Sequence, residues 1–242
     1  MARALGHYFE NVKKSSSAVS LQRALRRVGE IIMQIMTVSD RILDRLYSSQ
    51  VGQQYSDIDL LIGCGDLPYY YLEFLLSSLN TSLLFVRGNH DGGPQYTANG
   101  RVLTRPQGGI DLHGRVINYN GLLIAGLEGS MRYKPKAPLM YSEGGMTLQV
   151  AALVPRLLRF TSQYRRKLDI LVTHSPPFGI HDESDLAHRG FKAFLPLISF
   201  FKPRYHFHGH VHVYRNDTIR ETVYKHTKII NVFPLRLIAV NA

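Results

Sequence analysis

Continuous apolar runs that stop abruptly at polar residues recur along this chain. They cover residues 31–38, 58–62, 83–86 and 168–173. A strand that is apolar on both faces has to be covered on both faces, which is typical of a sheet held between other layers. The pattern therefore predicts an α/β (α+β) fold in which a central sheet sandwich is flanked by helices.

Segments with helical spacing or helix-start signals alternate with these runs. We predict helices over residues 19–29, 42–46, 68–79, 146–167 and 190–201. Pro68 suits a first helical turn, whereas Pro155 is expected to kink the helix that contains it. Residues 92–109 are rich in Gly, Pro, Gln and Asn, which predicts a long loop. The segment Asn118-Tyr119-Asn120-Gly121 predicts a hairpin turn between two strands.

The composition is that of an ordinary globular protein, with 45% hydrophobic residues among 242. No linker of biased composition divides it, so we expect an N-terminal helical extension over residues 1–30 and one domain over residues 31–242. No apolar run reaches the roughly 18 residues of a membrane-spanning helix. The apolar segment 31–36 is too short for a signal peptide, although a mitochondrial transit peptide is an alternative. The single cysteine, Cys64, fits a reducing compartment and favours a cytoplasmic location.

The sequence is strongly basic, with a formal net charge of +11. Such a field suits nucleic acid, an acidic membrane surface or a phosphorylated substrate. The basic residues are dispersed and form no long run. Charge alone therefore leaves open both a generally basic surface and a functional binding patch.

Six side chains with metal-ligand chemistry lie at the ends of predicted strands: Asp40, Asp66, Asn89, His174, His210 and His212. Functional loops commonly gather at such ends. Two carboxylates, an amide oxygen and three imidazoles suit Mn²⁺, Fe or Zn²⁺. Two ions about 3.5–4 Å apart and sharing a carboxylate would activate a water and hold a phosphoryl group. Glycines before Asp66, Asn89 and His210 would let the backbone turn sharply there.

The order of these motifs resembles the calcineurin-like metallophosphoesterase superfamily. The matching motifs are Asp40, Gly65-Asp66, Gly88-Asn89-His90-Asp91, His174 and Gly209-His210-Val211-His212. The resemblance spans about residues 38–212 and implies a four-layer α/β/β/α sandwich of two mixed sheets flanked by helices. It also implies two divalent metal ions (Mn, Fe or Zn) and hydrolysis of a phosphate ester by a metal-activated hydroxide, without a covalent intermediate.

The resemblance further implies a role for each matched residue. Asp66 would bridge the two metals, and Asp40 and His212 would complete the first site. The second site would be completed by three ligands: Asn89, His174 and His210. His90 would not bind metal; it would contact the phosphate and protonate or orient the leaving oxygen.

One position departs from the family pattern. The first motif of the family is Asp-x-His, and here Ile42 stands where that histidine would bind the first metal. Asp40, Asp66 and His212 would remain, and three protein ligands with open positions still form a common catalytic zinc site. We expect weaker binding of the first metal, an altered metal preference or slower turnover, with a single tightly bound ion as one outcome.

Several individual residues allow other interpretations. Asp40 could cap a helix, and His208 is expected to be a strand residue rather than a ligand. His188 precedes a predicted helix start, where anions bind well. Arg87 could either neutralise phosphate charge or lie at the surface. Two clusters could line the cleft, although part of the first is expected in the core: Tyr69, Tyr70 and Tyr71, and Arg132, Tyr133 and Lys134.

We therefore predict a metal-dependent phosphoesterase acting on a phosphomonoester or phosphodiester of a small molecule, such as a nucleotide or a lipid headgroup. A catalytically degenerate binding or scaffold protein on the same fold is the first alternative, and Ile42 supports it. A nuclease acting on nucleic acid is the second, and the basic charge supports it.

Overall fold

Two mixed β-sheets form the centre of the molecule. The computed structural model describes residues 32–97, 99–215 and 217–241. The first sheet contains, in spatial order, β15 (Leu235–Asn241), β1 (Ile32–Val38), β2 (Leu60–Gly63), β3 (Ser82–Phe85) and β6 (Gly109–Asp111). The second contains, in spatial order, β13 (Glu221–Tyr224), β14 (Thr227–Asn231), β12 (Tyr205–His208), β11 (Ile170–Thr173), β8 (Leu122–Leu127) and β7 (Arg115–Tyr119). Two short pairs complete the strands: β4 (Gln95–Tyr96) with β5 (Val102–Leu103), and β9 (Ser130–Met131) with β10 (Met140–Tyr141).

Most neighbouring strands in both sheets run parallel. Strands β1, β2, β3 and β6 are parallel to one another, as are β8, β11, β12 and β14. The outer strands β15, β13 and β7 pair antiparallel with their neighbours. Because parallel strands end at the same edge of a sheet, the loops after β1, β2, β3, β11 and β12 are brought towards one end of the sandwich.

Helices cover the outer face of each sheet. They are α1 (Val51–Gln54), α2 (Tyr69–Leu79), α3 (Glu143–Tyr164) and α4 (Phe194–Phe201). Ile62 of the first sheet and Phe207 of the second belong to one buried cluster between the sheets. A second cluster joins the first sheet to α1 and α2, and a third joins the second sheet to α3 and α4. These layers confirm the predicted α/β/β/α sandwich.

The predicted helices differ in how well they match. Residues 68–79 are confirmed as α2, with Pro68 in the cap position. The helix predicted over residues 146–167 begins earlier, because the Ser142 side chain accepts a hydrogen bond from the Gly145 N–H and caps α3, which includes Pro155. The helix predicted from residue 190 is shorter and forms α4 only. The extension predicted over residues 1–30 lies outside the described residues.

The helix predicted over residues 42–46 is wrong, and so is a capping role for Asp40. The segment forms turns instead, in which the Leu43 carbonyl accepts the N–H of Leu46 at 2.8 Å and the N–H of Tyr47 at 3.1 Å. Asp40 adopts a left-handed backbone (φ 62°), and its carboxylate accepts the N–H of His210 at 3.0 Å. The carboxylate is thus bound to a distant strand end rather than to the following residues.

The other two sequence features also fold into regular structure. The stretch 92–109 was expected to be a loop, but the short pair β4 and β5 lies within it. The hairpin at Asn118–Gly121 is confirmed: β7 and β8 pair antiparallel, and the Gly121 N–H donates to Asn118 Oδ1 at 3.0 Å. Within the described part of the chain, none of the helices combines the length and apolar character needed to cross a membrane.

Candidate metal centre

Five strand ends supply the predicted ligands. Asp40 follows β1, Asp66 follows β2 and Asn89 follows β3. His174 comes directly after β11, and the pair of histidines at 210 and 212 follows β12. All of these strands end at the same edge of the sandwich, so the topology collects the six side chains into one region.

Three of the ligand residues have strained backbones. Asp40, Asp66 and His210 have φ values of 62°, 56° and 68°. Such left-handed conformations in residues other than glycine cost about 1–3 kcal/mol each and persist where the surroundings impose them. Here the imposing contacts cross between strand ends: the His90 N–H donates to Asp66 Oδ1 at 2.7 Å, and the His210 N–H donates to Asp40.

Two glycines are required by close approaches to these side chains. A Cβ at Gly65 would lie 2.5 Å from His174 Nδ1, and Gly65 itself has a φ of 95°. A Cβ at Gly209 would lie 2.5 Å from Asp40 Oδ2. The glycines of the sequence motifs therefore make room for ligand side chains as well as allowing the turns.

The residues predicted for the second site lie close together in the structure. Ligand atoms of Asp66, His174 and His210 all lie within 4.8 Å of one another. His174 Nε2 is 3.3 Å from Asp66 Oδ2 and 3.1 Å from Asn89 Oδ1. The four residues are buried or nearly so, and the group is open on one side to a surface pocket. They form what we call the inner site.

The neighbours of the inner site orient its ligands. His174 Nδ1 donates to the Cys64 carbonyl at 2.8 Å, which aims Nε2 at the two oxygens. The Asn89 amide nitrogen lies 3.4 Å from the Tyr133 hydroxyl, so the amide oxygen is the atom that faces His174. His210 Nε2 donates to the Ala187 carbonyl at 2.7 Å, which leaves the Nδ1 lone pair free. Such outer hydrogen bonds are characteristic of metal-binding histidines.

The donor set of the inner site fits a divalent cation. If His174 is neutral, the lone pair of its Nε2 points at the oxygens of Asp66 and Asn89, which are also acceptors. Three electron-rich atoms that face one another are stable only with a positive charge between them. Carboxylate, amide oxygen and imidazole ligands are typical of Mn²⁺, Fe and Zn²⁺. The residues present therefore match the kind of metal that the motifs predict.

The ionisation of the inner site leads to the same conclusion. Burial acts to raise the pKa of Asp66, but the charge and hydrogen bond of His174 outweigh it and lower the pKa to about 2. Burial acts to lower the pKa of His174, but Asp66 raises it to about 9. Without a cation, a proton on His174 thus neutralises the carboxylate. Burial and the charge of His174 lower the pKa of His210 to about 4, so His210 is neutral, as a ligand must be.

The first predicted site is looser. His212 Nε2 lies 3.6 Å from Asp40 Oδ1, and the His212 side chain is 44% exposed. Its ring stacks on Phe233 with centroids 4.6 Å apart. Ile42 packs against the apolar cluster under the first sheet and offers no ligand atom. Among the described residues, Asp40 and His212 do not join a compact group of three ligands as the inner site does.

Asp91, for which the sequence predicts no role, connects two of the turns. Its Oδ2 accepts the N–H of Asp66 at 2.9 Å and the N–H of Gly88 at 2.8 Å. Burial and then the charge of Asp66 raise the pKa of Asp91 to about 7. Both hydrogen bonds come from backbone N–H groups. Asp91 therefore braces the turns that follow β2 and β3 and does not orient a ligand side chain.

A surface pocket of about 350 Å³ opens above the inner site. It is lined by ligand residues and further residues from the neighbouring loops: Asp40, Asp66, Asn89, His90, Tyr133, Ala187, His188, His210 and His212. His90 is exposed on this wall, as its expected contact with substrate requires. Tyr133 was one of the predicted cleft residues, and it does line the pocket.

The loop that carries His188 lines the pocket, whereas the sequence predicted for His188 only a place before a helix start that could bind an anion. That helix start, predicted at residue 190, is wrong, because residues 186–188 form a turn and α4 begins at Phe194. His188 Nδ1 lies 3.0 Å from Asp185 Oδ2, and its ring centroid is 5.4 Å from that of His210. The loop contacts the inner site through the backbone carbonyl of Ala187, which accepts a hydrogen bond from His210. Because a backbone carbonyl leaves no signal in the sequence, only the fold shows that this loop lies over the inner site.

Other candidate residues have structural partners. Arg87 forms a two-pronged ion pair with Glu128, at 2.8 and 3.1 Å, and does not line the pocket above the inner site. Tyr69 and Tyr71 are buried, whereas Tyr70 is 53% exposed. Arg132 donates to the Met140 carbonyl. Lys134 Nζ lies 5.3 Å from the ring centroid of Tyr133 and is absent from the pocket lining.

Comparison with known proteins assigns the chain to a family. The sequence model of the calcineurin-like phosphoesterase family matches residues 39–214, and the chain belongs to that family. The crystal structure of TT1561 of Thermus thermophilus is similar with a TM-score of 0.54 at 15% identity, over 87% of this chain and 99% of that one. A further crystal structure gives a TM-score of 0.57 at 12% identity, over the same shares. These likenesses show the fold. No curated protein sequence matches the chain.

Proposed function

We propose that this protein hydrolyses a phosphate ester of a small molecule and uses one tightly held divalent metal ion. The observation that carries the proposal is the inner site, in which ligand atoms of Asp66, His174 and His210 lie within 4.8 Å of one another below an open pocket. Membership of the calcineurin-like phosphoesterase family supports the chemistry, since its members are generally hydrolases that bind divalent metals.

The roles of the residues follow from their positions. Asp66, Asn89, His174 and His210 would hold the ion, which when bound acts as a Lewis acid on a phosphoryl oxygen and lowers the pKa of a water. Asp40 and His212 would hold a second ion more weakly. His90, exposed on the pocket wall, would donate a proton to the leaving oxygen.

His188 is a second group able to move a proton or contact the phosphate. It faces the pocket from the side of His210, and Asp185 orients its ring through Nδ1. An aspartate bound to one ring nitrogen fixes the orientation of the ring, so that its other nitrogen is available to a substrate. We assign His188 to phosphate contact rather than to metal binding.

The size of the pocket favours a small substrate. Its volume of about 350 Å³ lies within the range typical of small-molecule sites. Phosphomonoesters and phosphodiesters both fit such a space. The cytoplasmic location stays a prediction from the single cysteine.

Metal reconstitution tests the proposal. Metal-stripped protein should regain hydrolysis of p-nitrophenyl phosphate or bis-p-nitrophenyl phosphate when Mn²⁺ is added. Asp66→Ala should abolish both metal binding and activity, whereas Asp57→Ala, a change at an exposed aspartate outside the pocket, should alter neither. Folded protein that binds Mn²⁺ but hydrolyses neither ester, also with Fe²⁺, Co²⁺ or Zn²⁺, would favour the degenerate scaffold instead.

A further inference from the structure

A second cavity opens at the edge of the sandwich, separate from the pocket above the inner site. Its volume is about 500 Å³, and its lining is Thr218, Ile219, Arg220, Glu221 and Arg236. It shares no lining residue with the pocket above the inner site. Strands β13 and β15 are the outer strands of their sheets, so this cavity lies where the two sheet edges meet.

The cavity lies at the same end of the sandwich as the metal centre. Leu235 pairs with Val38, so Arg236 is beside the end of β1 that leads to Asp40. Arg220 donates to the Val213 carbonyl at 2.8 Å and to the Phe233 carbonyl at 2.9 Å. These bonds hold the backbone of Val213, which follows His212, and the backbone of Phe233, on whose ring His212 stacks.

In the described part of the chain, no ion pair joins Arg220 to a carboxylate. The two acceptors of its guanidinium hydrogen bonds are neutral carbonyls. Arg220 and Arg236 line the same cavity, and burial, followed by the charge of Arg236, lowers the pKa of Arg220. Such an arrangement is unfavourable unless an anion lies between them.

Arg236 has unused binding capacity. Its Nε is buried and has no hydrogen-bond partner in the described part of the chain. A buried donor without a partner costs free energy comparable to a lost hydrogen bond. The acidic residue of the lining, Glu221, is already paired with Lys228 at 2.6 Å. The cavity thus presents two arginines and a threonine hydroxyl, while its carboxylate is neutralised by a lysine.

We propose that Arg220 and Arg236 form a binding site for a phosphate-type oxyanion, separate from the metal centre. Guanidinium groups bind phosphate and sulfate through paired, charge-assisted hydrogen bonds. The anion would accept N–H groups of both guanidinium groups and relieve the repulsion between the two arginines. The site requires no metal, so it does not depend on the proposed catalytic function.

Sulfate binding to metal-free protein tests this site. With EDTA present and ionic strength held constant with chloride, sulfate should shift the Arg236 Nε–H signal in ¹⁵N–¹H spectra in a saturable way. Arg236→Gln should identify that signal by its loss and weaken sulfate binding, followed by calorimetry, by about tenfold or more. Arg236→Lys keeps the charge and should weaken binding less.

The matched control is Arg215→Gln, which makes the same change of charge at an exposed arginine paired with Asp217 in the nearby loop. It should leave the affinity for sulfate within about twofold. A single-stranded oligonucleotide without terminal phosphates, added in a separate titration, identifies the source of the anion. If the oligonucleotide binds in wild type but not in Arg236→Gln, and sulfate does not bind, the anion that the site recognises is the phosphate of a nucleic-acid backbone. Equal sulfate affinity in wild type, Arg236→Gln and Arg215→Gln would overturn the proposal.

Discussion

His174 Nε2 lies 3.3 Å from Asp66 Oδ2, although the two residues are far apart in the sequence. The contact joins the two sheets of the sandwich, because Asp66 follows β2 and His174 follows β11. Against the effect of burial, the Asp66 carboxylate raises the pKa of His174 to about 9, and a metal ion would replace the proton that His174 then holds. The contact thus links the two sheets at the candidate metal centre.

His90→Ala should slow hydrolysis without removing metal. The backbone N–H of His90 donates to Asp66, while the His90 side chain is exposed on the pocket wall. Loss of a positioned proton donor typically lowers the rate by about 10²–10⁴-fold. Steady-state rates and elemental analysis check this, with His226→Ala, an exposed histidine outside the pocket, as the control. A loss of bound metal in His90→Ala would show that the side chain is a ligand.

Ile42→His should restore the first metal site. Ile42 is half-buried against the apolar cluster under the first sheet, and the new imidazole has to turn from that cluster towards Asp40. Titration with Mn²⁺ should show tighter binding of a second ion and higher activity at limiting metal. Ile42→Ala, which removes the same packing but adds no ligand, should gain neither. An unchanged stoichiometry in Ile42→His would mean that another residue already completes the site.

Asp91→Ala should destabilise the metal-free protein. The substitution leaves the buried N–H groups of Asp66 and Gly88 without their acceptor, at about 1–3 kcal/mol for each. Asp91→Asn retains an amide oxygen that can accept these bonds and should lose less. Urea unfolding measures the difference between the two variants. Equal stability of both would show that the carboxylate does not brace the turns.

Buried His206 should make the fold sensitive to acid. Burial and then the charge of His181 lower the pKa of His206 from 6.5 to about 3, and the ring of His208 lies nearby with centroids 5.9 Å apart. As the pH falls from 6.5 towards 3, His206 becomes protonated in the unfolded chain but stays neutral in the folded chain. The free energy of unfolding therefore decreases, by up to about 1.4 kcal/mol per pH unit from this residue.

His206→Gln tests this pH dependence. The glutamine amide can still donate to Thr173 Oγ1, which His206 Nε2 contacts at 2.7 Å, but it does not titrate. Urea unfolding of metal-free protein between about pH 6 and 4 should show a shallower loss of stability than in the wild type. Parallel curves for the two proteins would contradict a neutral His206.

The sequence could predict those parts of the structure that depend on a short stretch of neighbouring residues. Apolar runs determine the parallel strands, and Gly65, Gly88 and Gly209 mark the turns that carry the ligands. The four-layer arrangement and the grouping of Asp66 with His174 follow from these motifs through the family resemblance.

The rest depends on contacts between distant backbone atoms. Asp40 was expected to be able to cap a helix, but its carboxylate binds the His210 N–H across the sandwich. Asp91 acts on two N–H groups, and Ala187 contributes a carbonyl. No residue type signals such roles. Arg220 and Arg236 likewise line one cavity because Arg220 precedes β13 and Arg236 lies on β15, the outer strands of their sheets.

The number of tightly bound metal ions per chain tests the account most directly. Equilibrium dialysis of metal-stripped protein against Mn²⁺, followed by elemental analysis, measures it. We predict one ion at the inner site, with the second binding at least about tenfold more weakly. Two ions of equal affinity would contradict the weakness assigned to the first site, and no bound ion would contradict the inner site itself.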